Sequence, residues 1–491
     1  MNLFSPRLVR LIKWLVLVVI LLSLISIILS KIAERKITYN FFSDAHAQSN
    51  LVQPFIKIKL ADKSFDRYFE VASLERQLSR SFILGLTAQR LNQPNLLDQF
   101  FSDQAYLAFS KLVEQQFFTF VYGGELNVNF VQQNGSLIVG HGRFDVASLS
   151  RNGVVEDRQI QNLGVHVVLK KSALNWKLSS FEVTDWVEQK PQPRKLFVKN
   201  LYGVNYYPKS HQWRQFWQNF DPVEIEQDFA LIKALPSNSV RVFLNYGDFS
   251  DLNSEHYSNL QKLLDIAEQY SLTTVITLFD LKPAYNLETL SADLLTLTQI
   301  LETVQRGRYD VVLDLKNEID LDFEHHREDS VRVWLEAMIE AVLVQSNLPV
   351  TVGWSSAEHA LEYVESLDIV SYHDYASLSD TSQNLERVKF GAGGKSIYIS
   401  EIGVTSAEIG FGLPSSEEKQ FQELKQRLDK NSSADSFAIW TLYDFESVDT
   451  SAIGNSPWRR LLQRHYGLIS SEGNYKPAAN AVRDFFGKRL Y

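Results

Sequence analysis

The chain contains no cysteine in 491 residues, which excludes disulfides, thiol catalysis and cysteine-ligated zinc. It has no basic excess either. Lys and Arg number 49 against 58 Asp and Glu, a net charge of −9, and no basic tract offsets it, so a nucleic-acid partner is not expected. Charged residues make up only 22% and hydrophobic ones 45%, a balance that excludes bulk disorder and calls for folded cores. Two or three domains are expected at this length. Aromatics reach 12%, which suits a large core and aromatic ligand platforms alike.

One stretch lacks charge altogether. The 17 residues from Trp14 to Ser30 are almost all Leu, Val and Ile and would span roughly 25 Å as a helix. Lys13 and Lys31 bracket the run and Trp14 suits a membrane interface, so residues 1–31 read as a transmembrane anchor. The rival reading is a cleaved signal peptide. The Ala45-His-Ala47 triplet resembles a cleavage site but lies about 15 residues beyond the apolar run, too far for that arrangement. Arg7, Arg10 and Lys13 on one side balance Lys31, Arg35 and Lys36 on the other, so flanking charge does not set the orientation. Residues 32–52 read as a polar tether.

Residues 53–188 differ in pattern from everything after them. Phe65 to Leu78, Phe82 to Leu91 and Leu96 to Phe118 carry apolar residues at three- and four-residue spacing, which predicts helices. Leu126–Phe130, Ser136–Gly140, Val165–Leu169 and Trp176–Val183 alternate with period two, which predicts strands. Gln133-Asn-Gly135 and Arg151-Asn-Gly153 supply turns. Helices followed by an antiparallel sheet ending in a Trp-Lys-Leu strand resemble the nuclear-transport-factor-2-like cone, an α+β domain. In this chain such a domain would be a spacer or packing partner, since it offers no catalytic cluster.

Residues 189–195 form a linker stiffened by two prolines. From 196 to 491 strand and helix patterns alternate. Candidate strands are Phe197–Tyr206, Ser239–Asn245, Leu272–Phe279, Tyr309–Leu315, Pro349–Trp354, Leu367–His373, Ser396–Ser400 and Ser436–Leu442. Leu260–Tyr270 and Val331–Val344 between them are helical in period, and Ala478–Phe486 closes the unit. Eight such repeats predict an α/β fold of the TIM type, a (β/α)8 barrel whose working face is the C-terminal end of its strands.

Polar and aromatic groups gather at those ends: Asn205-Tyr206, Arg241, Asp280, Asn317-Glu318, His373-Asp-Tyr375, Glu401-Ile-Gly403 and Trp440. The set resembles the clan A retaining glycoside hydrolases, most closely the cellulase-like family 5 group, over residues 196–491. Asn317-Glu318 after the fourth strand and Glu401-Ile-Gly after the seventh carry the resemblance, with the tail Gly467-Leu-Ile…Gly473-Asn-Tyr-Lys-Pro-Ala478. It implies Glu318 as acid/base and Glu401 as nucleophile, with no cofactor and no metal. Arg241 would hold Glu401 charged, and repulsion from Glu401 would help Glu318 keep a proton. Asn317 would bind the sugar 2-hydroxyl, His373 and Tyr375 would orient nucleophile and sugar, and Trp440 would form a stacking floor. Asn205, Tyr206 and Asp280 complete the expected substrate contacts, Asp280 standing where many members of the family carry histidine. His325-His326 reads as surface loop rather than metal pair, and Glu446 and Asp449 read as solvated.

The expected partner is therefore a β-linked glycan, cleaved by a membrane-anchored enzyme whose barrel lies outside the cytoplasm. Two other readings use the same sequence: a non-catalytic carbohydrate-binding or assembly protein on a barrel scaffold, and a transglycosylase with the same residues.

Overall fold

The molecule is described from a computed structural model at residues 56–90, 100–114, 120–148, 159–172, 175–189, 199–285, 287–307, 309–410 and 413–490. The expected anchor, the tether, the Arg151-Asn-Gly153 turn and all of the linker but Gln189 lie outside them. Among the described residues no helix is long and apolar enough to cross a membrane.

The first unit opens with β1 (Ile56–Leu60), an Ile-Lys-Ile-Lys-Leu alternation that buries its Ile residues and is a strand beyond the four read from the sequence. Two helices follow, α1 (Val71–Arg90) and α2 (Asp103–Glu114), then β2 (Phe120–Val131), β3 (Leu137–Ser148), β4 (Gln159–Ser172) and β5 (Asn175–Gln189). Phe65–Leu78 is not one helix. The Asp62 side chain caps a tight 3-10 turn over Lys63–Tyr68 and Phe69 is extended, so the α-helix starts only at Val71. It then continues through the second expected helix, because nothing between Leu78 and Phe82 breaks it. The sheet runs β1-β2-β3-β4-β5, with β1 parallel to β2 and the other pairs antiparallel. Gly135, at φ +66°, makes the turn between β2 and β3, a conformation that favours glycine. Inside, Phe82 meets Phe144 and Phe181 edge-on and Phe109 at a tilt, with ring centroids 5.1, 5.5 and 5.9 Å away. Aromatic rings thus fill the space between helices and sheet.

The second unit has eight parallel strands: β6 (Tyr202–Asn205), β7 (Ser239–Asn245), β8 (Thr273–Asp280), β9 (Val311–Asp314), β10 (Val350–Thr351), β11 (Ile369–Asp374), β12 (Ser396–Ile402) and β13 (Ser436–Ile439). Each pairs with its sequence neighbour, β13 pairs with β6, and a parallel bridge between Trp354 and Tyr372 joins the β10 and β11 sides. The ring closes as a (β/α)8 barrel. Around it run α3 (Pro222–Ala234), α4 (His256–Gln269), α5 (Leu287–Arg306), α6 (Glu328–Gln345), α7 (Thr381–Gly391), α8 (Glu417–Lys430) and α9 (Ala478–Leu490). Leu201, Val275, Val312, Ile369, Tyr398 and Ala438 form a separate buried apolar cluster contributed by six of the barrel strands or their starts, a packed plug rather than a pore.

Period two then explains which residues rise above that plug. Two residues on from Val312 comes Asp314, and four on from Leu201 comes Asn205. One departure from the period matters most. Ser371 pairs with Tyr398 and Tyr372 with Ile399, but His373 pairs with Glu401. Ser400 is the extra residue of a β-bulge. Strict alternation from Tyr398 would aim Glu401 away from the barrel axis, and the bulge returns it to the face that carries His373.

Candidate active site

Arg241, on β7, is fully buried and uses all five of its N–H groups. Nε and Nη2 donate to Asp314 Oδ2 at 3.1 and 2.7 Å. Nη1 donates to Asn205 Oδ1 and to Glu401 Oε1, each at 2.8 Å. The other Nη2 proton goes to Asn317 Oδ1 at 2.8 Å. A guanidinium has no acceptor and five donors in a fixed plane, so this one cation sets the positions of four side chains from three strands or their ends. Because Asn317 accepts here, its NH2 group is the end left for another partner.

Asp314 is itself held from two sides, by Thr277 Oγ1 at 2.8 Å and by the Gly353 N–H at 2.8 Å. Gly353 allows the close approach: a Cβ there would stand 3.1 Å from Arg241 Nη2 and 3.3 Å from Asp314 Oδ2. Asp314, Thr277 and Gly353 were not among the expected site residues. The period-two count inward from Val312 was the available signal for Asp314.

Glu401 receives Arg241 on Oε1 and the Tyr375 hydroxyl on Oε2 at 3.1 Å. Across from it, Glu318 Oε1 pairs with His373 Nδ1 at 3.0 Å. His373 Nε2 stands 3.6 Å from Glu401 Oε1, too far for a hydrogen bond. One oxygen of each carboxylate and the imidazole lie within 4.8 Å of one another. That spacing also suits a metal triad, but a cation there would compete with Arg241 and Tyr375 for the oxygens of Glu401. The backbone at Glu318 is left-handed, φ 46° and ψ 48°, a strained state for a non-glycine residue that clusters at functional sites.

The protonation of the pair differs from the expectation. Burial pulls the Glu318 carboxyl upward, but the His373 hydrogen bond and charge, with Lys316 and Arg241, bring it below its ordinary value. Burial likewise pulls His373 down, and Glu401 and Glu318 outweigh it and raise it. Repulsion from Glu401 therefore does not keep a proton on Glu318 in the free protein. Both shifts favour His373 over Glu318 as the carrier of the pair's proton, across a separation of 3.0 Å.

The remaining expected residues divide. Trp440 is almost wholly buried. Its ring meets Phe243 and Tyr207 edge-on at 6.0 and 6.3 Å, and its Nε1 donates to Gln463 at 3.2 Å. Asp280, at the end of β8, is buried and accepts from Tyr207 Oη at 3.5 Å; burial raises its pKa, against the pull of Lys316 and Arg241. Tyr206 is not brought to the site. Its hydroxyl donates to Asp228 on α3 at 2.8 Å, outside the barrel, whereas Tyr207 stacks on Phe243 at 5.1 Å. Alternation from the inward Asn205 gives that result: Tyr206 outward and Tyr207 inward. Lys316, also missed, is buried and bridges Asp322 at 3.2 Å and the Asn317 carbonyl at 2.8 Å.

His326 is buried, edge-on to Tyr285 at 5.2 Å, which corrects the surface-loop reading of that residue. Glu446 is exposed, and Asp449 caps a short helix through the Ser451 N–H at 2.8 Å. The tail returns beneath the end of β13: Lys476 Nζ donates to Asp444 Oδ1 at 2.9 Å and to Ser406 Oγ at 2.9 Å. Gly467 lies so close to that turn that a Cβ would stand 2.0 Å from the Asp444 nitrogen.

No family model matches the sequence, and no curated protein matches it. Solved structures do. A GH5_18 protein from Bifidobacterium longum subsp. longum aligns at 12% identity and TM-score 0.48, over 60% of this chain and 80% of that one. A GH5_18 protein from Streptomyces cattleya, in complex with GlcNAc, aligns at 16% and 0.48, over 59% and 80%. The exo-beta-1,4-mannosidase Op5Man5 from Opitutaceae bacterium strain TAV5 aligns at 17% and 0.49, over 59% of each chain.

Proposed function

We propose that the chain is a retaining glycoside hydrolase acting on a β-linked glycan. The observation that carries this is the carboxylate pair: oxygens of Glu318 and Glu401 lie within 4.8 Å at the C-terminal mouth of a (β/α)8 barrel. Retaining enzymes separate their carboxyl groups by about 5–5.5 Å, whereas inverting ones leave about 6.5–9.5 Å for a water.

In this reading Glu401 is the nucleophile. Arg241 holds one of its oxygens and Tyr375 the other, so it attacks the anomeric carbon from a set direction. Glu318 gives the proton to the departing oxygen and later removes one from the water that releases the sugar. His373 holds that proton beforehand and passes it to Glu318 as negative charge leaves Glu401 in the covalent step. The Asn317 NH2 group donates to the sugar 2-hydroxyl. Tyr207, Phe243 and Trp440 form the apolar floor under the ring, and Asp280 takes a hydroxyl at its edge. The chemistry needs no cofactor. The anchor at residues 1–31 and an extracytoplasmic barrel remain part of the proposal on the strength of the charge-free run Trp14–Ser30.

The test is product analysis by mass spectrometry. The full chain would be incubated with β-glucans, β-mannans, envelope polysaccharides and 2,4-dinitrophenyl β-glycosides, beside Glu401→Gln. Cleavage by the parent alone, with the β-anomer formed first by proton NMR, is the expected result. First formation of the α-anomer would overturn the retaining assignment, and equal activity in Glu401→Gln would overturn the site.

A further inference from the structure

Beside the carboxylate pair a cleft of about 690 Å³ opens between the loop after β11, the end of β12 and the outward face of α8. That size is in the range of ligand sites, roughly 300–1,000 Å³. Its inner wall is Tyr375 and Tyr466, edge to face with centroids 6.3 Å apart. Its outer wall is Glu418, Gln422 and Gln426. These recur every fourth residue on α8 and so form one stripe about 12 Å long.

The cleft and the candidate active site share Tyr375. The residue is 40% exposed and lines the cleft, while its hydroxyl lies 3.1 Å from Glu401 Oε2. The cleft therefore adjoins the proposed nucleophile through this one side chain. At the far edge, Pro414 and Ser415 end a small hairpin on which Ile409 and Leu413 stand 71% and 62% exposed. Large apolar side chains left in solvent beside a cleft that Leu378 and Val404 also line suit the apolar face of a bound ring.

The lining also indicates what kind of chain fits. Arg427 is committed to protein acceptors, Glu423 Oε1 at 3.0 Å and the Ala376 carbonyl at 2.8 Å. Glu418 accepts from Gln422 Nε2 at 2.7 Å. The polar groups that line the cleft are carboxylate, amide, tyrosyl, the Thr405 and Ser415 hydroxyls and the Lys419 ammonium, groups that exchange hydrogen bonds with hydroxyls. Glu418 and Glu423 are balanced in the lining by Lys419 and Arg427, so the cleft offers a carboxylate ligand no net attraction.

We propose that this cleft holds the sugar units next to the reacting one in a neutral, hydroxyl-rich glycan, so that the protein is built for chains rather than for single glycosides. The proposal rests on the glycosidase reading and deepens it.

The experiment compares kcat/KM for 2,4-dinitrophenyl β-glucoside and β-mannoside with that for cello- and manno-oligosaccharides of two to six units. Parent and the Gln422→Ala/Gln426→Ala double variant are measured side by side. In the parent kcat/KM should rise with chain length, and the double variant should lower the ratio of hexasaccharide to monoglycoside by about tenfold. A flat dependence on length, or an unchanged ratio in the variant, overturns the cleft and leaves the glycosidase reading standing. If the parent turns over none of these substrates, the glycosidase reading falls for them. The cleft is then judged by tryptophan-fluorescence titration with the two hexasaccharides: binding weakened in the double variant supports it, and absence of binding overturns it. Tighter binding of an oligogalacturonate than of either neutral hexasaccharide overturns the assignment of a neutral chain.

Discussion

Asp314 and Arg241 meet inside the barrel through a single oxygen: Oδ2 of Asp314 accepts both Nε, at 3.1 Å, and Nη2, at 2.7 Å. Both side chains are almost completely out of water. The guanidinium that serves Glu401 is thus shared with a second carboxylate, and its plane is set by that second partner from below.

Removing Asp314 should therefore cost stability and position together. Breaking a buried ion pair from one side typically costs about 3–5 kcal/mol, because the remaining charge is left uncompensated. Asp314→Ala should lose that much in guanidinium unfolding, and kcat/KM should fall because Arg241 is no longer held against Glu401. A change below about 1 kcal/mol would show that the pair holds nothing in place.

Glu318→Gln keeps the size of the side chain and removes its capacity to take up and deliver a proton. General acid catalysis contributes about 10²–10⁴-fold, and it matters least where the leaving group needs no proton. The variant should lose about that factor on oligosaccharides and much less on the formation of the covalent intermediate from dinitrophenyl glycosides. Equal losses on both, measured by pre-steady-state kinetics, would contradict the assignment.

Tyr375→Phe removes one hydrogen bond to Glu401 and leaves the ring that walls the cleft. A hydrogen bond to a charged group contributes about 1.5–3 kcal/mol, so kcat should fall by roughly 10- to 150-fold. The dependence on chain length should survive. Loss of the length dependence along with kcat would mean that the hydroxyl, not the ring, serves the cleft.

The Glu318–His373 pair should show itself in stability against pH. Glu318 lies below its ordinary 4.5 and His373 above its ordinary 6.5. A lowered carboxyl stabilises above its unfolded pKa and loses that as pH falls, whereas a raised imidazole stabilises below its unfolded pKa and loses that as pH rises through the folded value. The pair is most stabilising between pH 4.5 and 6.5. The Tm gap between the parent and His373→Asn should be widest in that window and narrow towards pH 9. A gap that grows with rising pH would contradict the placement of the proton on His373.

Much of the barrel was legible because parallel strands buried on both faces read as continuous apolar runs. The expected Ser239–Asn245 is β7 residue for residue, and every other candidate strand contains or overlaps its counterpart. The first unit was read less well at its start, where a local cap at Asp62 outweighed the helical spacing of Phe65–Leu78. Tyr206 was chosen over Tyr207 by adjacency, although counting by twos from Asn205 separates them.

By itself the sequence determined the α/β class, the strand order and the presence of two glutamates at strand ends, since those depend on local periodicity and chain order. Only the tertiary structure decided which way Glu401 points, because the Ser400 bulge exists only against its neighbours on β11. It also decided that one guanidinium would gather Asn205, Asp314, Asn317 and Glu401, and that His373 would lie against Glu318. Those outcomes depend on distances between residues as much as 160 positions apart, and on burial that strengthens each charge on the next. Nothing in a linear pattern carries such distances.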